Sequence, residues 1–177
     1  MSIRPVHRVR RFFASVVPGR PSDADLAWAG SFLNDDERRL FAKMAATDQR
    51  HLVGVAKAVE RHGVDGRSPD QWVMAAALLH DVGKTVAGLG TYGRVVATLS
   101  EAVGGASMAA AWTESSGFTR RVGLYLQYPA LGADLLRLAG SDERVVAWAA
   151  EHHLPEEGWS VPLSEGRVLS LADDGRL

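Results

Sequence analysis

The sequence predicts a single domain with an all-α fold, and three observations support this. Apolar residues recur at steps of three and four along most of the chain, cap residues precede these stretches, and no stretch alternates as a strand would. The strongest stretch is 72–79, WVMAAALL, which is apolar on every side. Because such a helix belongs inside a core, it predicts the central helix of the domain, and it runs directly into His80 and Asp81.

Length and composition limit the classes of protein that fit. A chain of 177 residues can bury a sizeable core. The absence of cysteine excludes disulfides and thiolate metal sites. No apolar run reaches 18 residues and no apolar segment follows the basic start, so we expect a cytoplasmic protein without a membrane span or signal peptide.

The start of the chain is basic. Residues 1–22 hold five arginines and none of the 21 acidic side chains. We therefore expect a basic N-terminal arm over 1–21 and a single domain over 22–177. A few arginines in a terminal arm are a weak signal, so nucleic acid is not the partner that we predict.

Cap residues predict the helices before the centre. We expect a short helix over 22–28 and a second helix after Asn34, whose first turn is acidic. A third helix is predicted from a cap at Thr47 to His62. His51 and His62 share its apolar stripe, so both are expected to face inward.

The central helix is expected to begin at Ser68 and Pro69 and to end near Gly83. Residues 86–93 read as a glycine-rich loop that lacks the order GxxxxGK[ST] and follows no strand, which excludes a P-loop. We expect residues 86–127 to form the walls of a pocket.

Two helices and a final apolar run complete the predicted domain. Pro129 opens the first of them, and the leucines expected to face inward are Leu131, Leu135, Leu136 and Leu138. The next helix begins at 141–143 and ends in His152 and His153. The last apolar run leads into Asp173.

Imidazole and carboxylate side chains end or line several of these apolar segments. They are His51, His80 with Asp81, His152 with His153, and Asp173. One histidine at a helix end often only complements the helix dipole, but here three apolar helices each present one. Nitrogen and oxygen ligands without thiolate are typical of octahedral ions such as Mn, Fe or Mg. The motifs HExxH and GxSxG are absent, which excludes a zincin protease and an α/β-hydrolase.

Four of these residues occur in a pattern that is known from one family. The residues are His51, His80, Asp81 and Asp173, and the pattern is H…HD…D. Over about 46–177 the chain resembles the HD superfamily of metal-dependent phosphohydrolases, and LLHDVGK is similar to the LLHDIGK of HDIG-type domains. The resemblance implies an HD-domain helical bundle around one divalent metal ion (Mn, Fe, Ni or Mg) bound by these four residues. Asp174 is the alternative to its neighbour as the last ligand.

One position departs from the multi-metal branches of that family. They carry a His-Pro pair in HPxxGAxLL, whereas this chain reads YPALGADLL, with Tyr128 at the histidine position. Tyrosine is a poor ligand for a hard ion at neutral pH, because its pKa is about 10. The resemblance therefore implies a single-metal site, or a weak second site that uses His152 or His153.

The resemblance also implies an activity, the hydrolysis of a phosphate ester or anhydride of a nucleotide-like small molecule. Asp81 would orient the attacking water, and Lys84 and Arg50 would hold phosphate. His152 or His153 would protonate the leaving oxygen. Two alternatives are an HD-type diadenosine tetraphosphate hydrolase with two metals, and a degenerate HD domain that binds a nucleotide or a partner without turnover. The sequence does not indicate the oligomeric state.

Overall fold

The computed structural model describes residues 19–87 and 126–177, and six further positions between 112 and 122. Every named element in these residues is helical, and one isolated β-bridge joins Val64 to Arg67. The prediction of an all-α fold is confirmed. Among the described helices, none has both the length and the apolarity that crossing a bilayer requires.

The bounds of the helices follow the chain in this order: α1 (Asp23–Gly30), α2 (Asp35–Ala42), α3 (Ala46–His62), α4 (Gln71–Leu79), α5 (Lys84–Ala87), α6 (Tyr128–Leu138), α7 (Glu143–Glu151) and α8 (Leu163–Asp173). A short 3-10 turn, Glu156–Gly158, lies between α7 and α8. Residues 1–18 of the predicted basic arm and most of the predicted pocket walls lie outside the described residues. The boundary between arm and domain therefore stays a prediction.

Reciprocal hydrogen bonds cap α1 and α2. The Ser22 hydroxyl accepts the N–H of Asp25 at 3.1 Å, and the Asn34 side-chain oxygen accepts the N–H of Glu37 at 2.9 Å. In both helices the carboxylate accepts the N–H of the cap residue in return. These bonds satisfy backbone donors that have no partner within the helix, and both starts agree with the prediction.

Two predicted helix starts are wrong by a few residues. Helix α3 begins at Ala46, so Thr47 lies in its first turn and is not the cap. Helix α4 begins at Gln71, after the predicted start at Ser68 and Pro69. In neither helix does the residue at the cap position make a side-chain cap hydrogen bond, so cap preference was a poor guide to both starts.

Two side chains that were predicted to face inward are exposed. His62 is exposed, and Leu138 is 86% exposed. Each is the last residue of its helix, α3 and α6 respectively. The residue that follows each of them, Gly63 or Ala139, is buried instead, and Leu136 is fully buried, so the two exposed side chains lie beside the buried face and not on it.

Helix α4 lies in the centre of the bundle, as predicted. All its residues from Trp72 to Leu79 are buried, and α2, α3, α7 and α8 contact it. Its C-terminal end therefore lies in the interior, where His80 and Asp81 are each only 1% exposed. The two residues that follow the most apolar helix are thus among the most deeply buried polar residues described.

The turn after α4 packs directly against the start of α6. A Cβ atom on Gly83 would lie 1.9 Å from the carbonyl oxygen of Tyr128 and 2.7 Å from the backbone nitrogen of Gly132. Only a residue without a side chain permits so close an approach of two backbones. Gly83 was predicted as the end of the central helix, and the structure instead gives it this packing role.

We expect Gly83→Ala to lower the free energy of unfolding by about 2 kcal/mol or more, because backbone atoms would have to move to admit the methyl group. Gly54→Ala is the matched control, since Gly54 is exposed within α3 and its Cβ would meet nothing within 4 Å. That control should be neutral or stabilising by up to about 1 kcal/mol. Urea unfolding measures both variants, and equal stabilities would contradict the close approach.

Candidate metal centre

The four predicted metal ligands lie together at the C-terminal end of α4. Asp173, at the end of α8, has its Oδ1 atom 3.0 Å from Nε2 of His51, on α3, and 3.7 Å from Nε2 of His80. One ligand atom from each of His51, His80 and Asp81 lies within 4.8 Å of the others. Three helices therefore bring two imidazoles and two carboxylates to one point.

Several buried polar atoms of this centre have no hydrogen-bond partner in the part of the chain that the structure describes. They include Nε2 of His80 and Oδ1 of Asp81. A buried polar atom without a partner costs roughly 1–3 kcal/mol. A divalent cation is coordinated by these two kinds of atom, so these residues fit such an ion.

The carboxylates also favour positive charge here. Burial lowers the pKa of His80, but the charges of Asp81 and Asp173 outweigh this effect and raise that pKa above its usual value. Burial likewise raises the pKa of Asp81, but the neighbouring positive charges, that of Lys84 first, hold it well below its usual value. Asp81 is therefore ionised at neutral pH, as a carboxylate ligand must be.

Lys84 begins α5 and contacts the ligand set directly. Its Nζ atom donates a hydrogen bond to Oδ2 of Asp81 and lies 5.0 Å from the ring centroid of Tyr128. The side chain is 16% exposed, so it lies at the edge of the buried centre. Its role in phosphate binding stays a prediction, and the structure places it beside the predicted ligand Asp81.

Two other predicted residues lie further out. Arg50 is exposed, and its guanidinium lies against Gly19, before α1. Its predicted contact with phosphate stays a prediction. Asp174, the alternative last ligand, is the partly buried C-cap residue of α8. Its neighbour Asp173 is the residue that contacts both histidines.

His152 lies buried beside Asp81 in a defined tautomer. Its Nδ1 atom lies 3.2 Å and 3.0 Å from the carbonyl oxygens of Trp148 and Ala149. Because carbonyl oxygens only accept, Nδ1 carries the hydrogen. Burial, followed by the charges of His153 and His80, lowers the pKa of His152 well below its usual value. The ring is therefore neutral, and Nε2 is an acceptor that lies 3.9 Å from Oδ1 of Asp81.

Tyr128 joins the two predicted proton donors. Its buried hydroxyl lies 3.2 Å from Nε2 of His152 and is also hydrogen bonded to Nε2 of His153, which is the more exposed of the two histidines. Sequence reasoning treated Tyr128 only as a missing metal ligand and did not predict these bonds. No local pattern signals them, since they join residues 24 and 25 positions apart.

We expect Asp173→Asn to weaken Mn²⁺ binding by at least about tenfold to a hundredfold, the loss that even residues behind the ligands produce. Asp174→Asn is the matched control and should bind Mn²⁺ as the unaltered protein does. Titration calorimetry measures both affinities. A loss confined to the Asp174 variant would show that the wrong carboxylate had been assigned.

Comparison with known proteins supplies a family. A model of the HD domain matches residues 49–174, which is more than half of the chain and includes all four predicted ligands. No curated protein and no solved structure matches the chain. HD domains are typically metal-dependent hydrolases that act on phosphate compounds. With its all-α fold and its buried cluster of histidines and aspartates, this chain belongs to the HD domain family.

Proposed function

We propose that this chain is a metal-dependent phosphohydrolase that acts on a nucleotide or a similar phosphate ester or anhydride. The main support is the convergence of His51, His80, Asp81 and Asp173. Buried atoms of His80 and Asp81 in this cluster lack hydrogen-bond partners among the described residues. The reaction class agrees with the family. Substrate and site residues are our inference.

Asp81 and Lys84 supply the electrostatics that this reaction needs. A divalent ion, when bound, provides polarisation of a phosphoryl oxygen and a lowered pKa of water. The ionised Asp81 carboxylate accepts a hydrogen bond from the attacking water and so directs its lone pair toward phosphorus. Lys84 has three N–H donors, of which one bonds to Asp81. As a cation at the edge of the centre, Lys84 can attract a phosphoryl oxygen while its bond to Asp81 stays intact.

The hydrogen bonds favour His153 over His152 as the proton donor to the leaving oxygen. The only hydrogen of neutral His152 lies on Nδ1 and points at the carbonyl oxygens of α7. His153 is more exposed and lies beside the same tyrosine hydroxyl. A leaving group at the edge of the centre would therefore meet His153 first.

One observation favours the alternative of a domain that binds a phosphate compound without turnover. Tyr128 is hydrogen bonded to the Nε2 atoms of both His152 and His153, so His153 can protonate a leaving oxygen only when it gives up this bond. The diadenosine tetraphosphate hydrolase needs two metals, and these contacts speak against it. The phosphohydrolase, the binding domain and the dinucleotide hydrolase would all use the cluster of His51, His80, Asp81 and Asp173, and they differ in substrate and in whether they hydrolyse it.

A substrate screen separates these functions. Protein loaded with Mn, Fe, Ni or Mg would be incubated with p-nitrophenyl phosphate, its bis-ester, nucleoside mono- and triphosphates, and diadenosine tetraphosphate. We expect hydrolysis of at least one monoester or anhydride, which Asp81→Asn abolishes. Thermal stabilisation by nucleotides without any hydrolysis would contradict the enzyme and favour the binding domain. Cleavage restricted to diadenosine tetraphosphate would favour the two-metal hydrolase.

We expect Lys84→Ala to raise the KM for the best substrate of that screen by about tenfold or more, because a hydrogen bond to a charged group is worth about 1.5–3 kcal/mol. The variant should keep its metal. Lys43→Ala is the control, since Lys43 is exposed at the end of α2. Steady-state kinetics and metal analysis measure both variants, and an unchanged KM in Lys84→Ala would exclude its assigned role.

A further inference from the structure

We propose that Tyr128 is a positioning residue whose hydroxyl holds the Nε2 atoms of His152 and His153 and thereby closes the centre to a second metal ion. The proposal builds on the proposed function, because it concerns the number of ions held by the same centre. It starts from an arrangement in which one phenol oxygen is hydrogen bonded to two imidazole nitrogens.

The hydrogens of this group can be assigned. A phenol has one hydrogen to donate, so at most one of the two nitrogens accepts it. The hydrogen of His152 lies on Nδ1, against two carbonyl oxygens, so its Nε2 atom is the acceptor. Nε2 of His153 therefore carries a hydrogen and donates it to the phenol oxygen of Tyr128. Both Nε2 atoms are thus engaged.

Without the hydroxyl, a second ion would have suitable ligands here. Nε2 of His152 lies 3.9 Å from Oδ1 of Asp81, which has no hydrogen-bond partner among the described residues. Metal ligands at about 2.0–2.2 Å from one ion lie no more than about 4.4 Å apart, so this separation admits an ion between them. Asp81 also belongs to the first ligand cluster and could bridge two ions.

The hydroxyl blocks this position because an imidazole nitrogen has one lone pair in the ring plane. Nε2 of His152 cannot accept the O–H hydrogen of Tyr128 and coordinate a cation at the same time. Nor can the tyrosine easily move aside, because its backbone packs against Gly83 and its ring lies under the Lys84 ammonium. The buried phenol would also lose its hydrogen-bond partners if it were displaced.

Removal of the hydroxyl tests the proposal. Tyr128→Phe keeps the ring, its packing and its contact with Lys84. We expect the unaltered protein to bind one equivalent of Mn²⁺ and Tyr128→Phe to bind two, by equilibrium dialysis with elemental analysis. EPR of the variant should show an exchange-coupled pair of ions. Combining Tyr128→Phe with His152→Ala should restore one equivalent, and His62→Ala, at an exposed histidine, should not change the count.

Other numbers of bound Mn²⁺ ions would contradict the inference. Two equivalents in the unaltered protein, or one in a folded Tyr128→Phe at saturating Mn²⁺, would overturn the inference and leave the proposed hydrolase standing. No equivalent in the folded unaltered protein would overturn both. Should Tyr128→Phe fail to fold by circular dichroism, Tyr128→His is the second variant. It also lacks the phenol, so it should bind two equivalents, and one would overturn the inference.

Discussion

Helix α4 is enclosed by other helices, and its burial places His80 and Asp81 where water cannot solvate them. Partners must therefore come from the protein or from a bound cation, since burying an unpaired charge is very costly. Lys84 neutralises one oxygen of Asp81, and Asp173 approaches His80 from α8. Atoms of both residues nevertheless lack hydrogen bonds among the described residues. Imidazole nitrogen and carboxylate oxygen are the kinds of atom that coordinate a divalent ion.

The polar groups around this centre differ in their freedom to react. His51 and Asp173 contact each other across two helices, whereas His152 is tied to the carbonyl oxygens of its own helix. Tyr128 extends this second group by bonding to both neighbouring histidines. Of the two oxygens of Asp81, Oδ2 is bonded to Lys84, whereas Oδ1 faces His152 and has no hydrogen-bond partner among the described residues.

The central helix and the ligand pattern could be predicted because each depends on local chemistry. A segment apolar on every side must be buried, and whatever follows it, here His80 and Asp81, is carried inside. His62 and Leu138 were misplaced because steps of three and of four both fit an apolar stripe, and at each helix end the buried position is the next residue, Gly63 or Ala139. Tyr128 could not be assigned its contacts, because they depend on how α6 packs against α7. The predicted pocket walls over 86–127 lie mostly outside the described residues.

His51 and His80 are proposed to bind a divalent ion together with Asp81 and Asp173. Pulsed EPR of the protein with one equivalent of Mn²⁺ tests this most directly, because it detects ¹⁴N nuclei of coordinated imidazole. We predict nitrogen modulations from two imidazoles, reduced to those of one in His51→Gln. A spectrum of Mn²⁺ with oxygen ligands alone would contradict the assignment of this buried cluster as the metal centre.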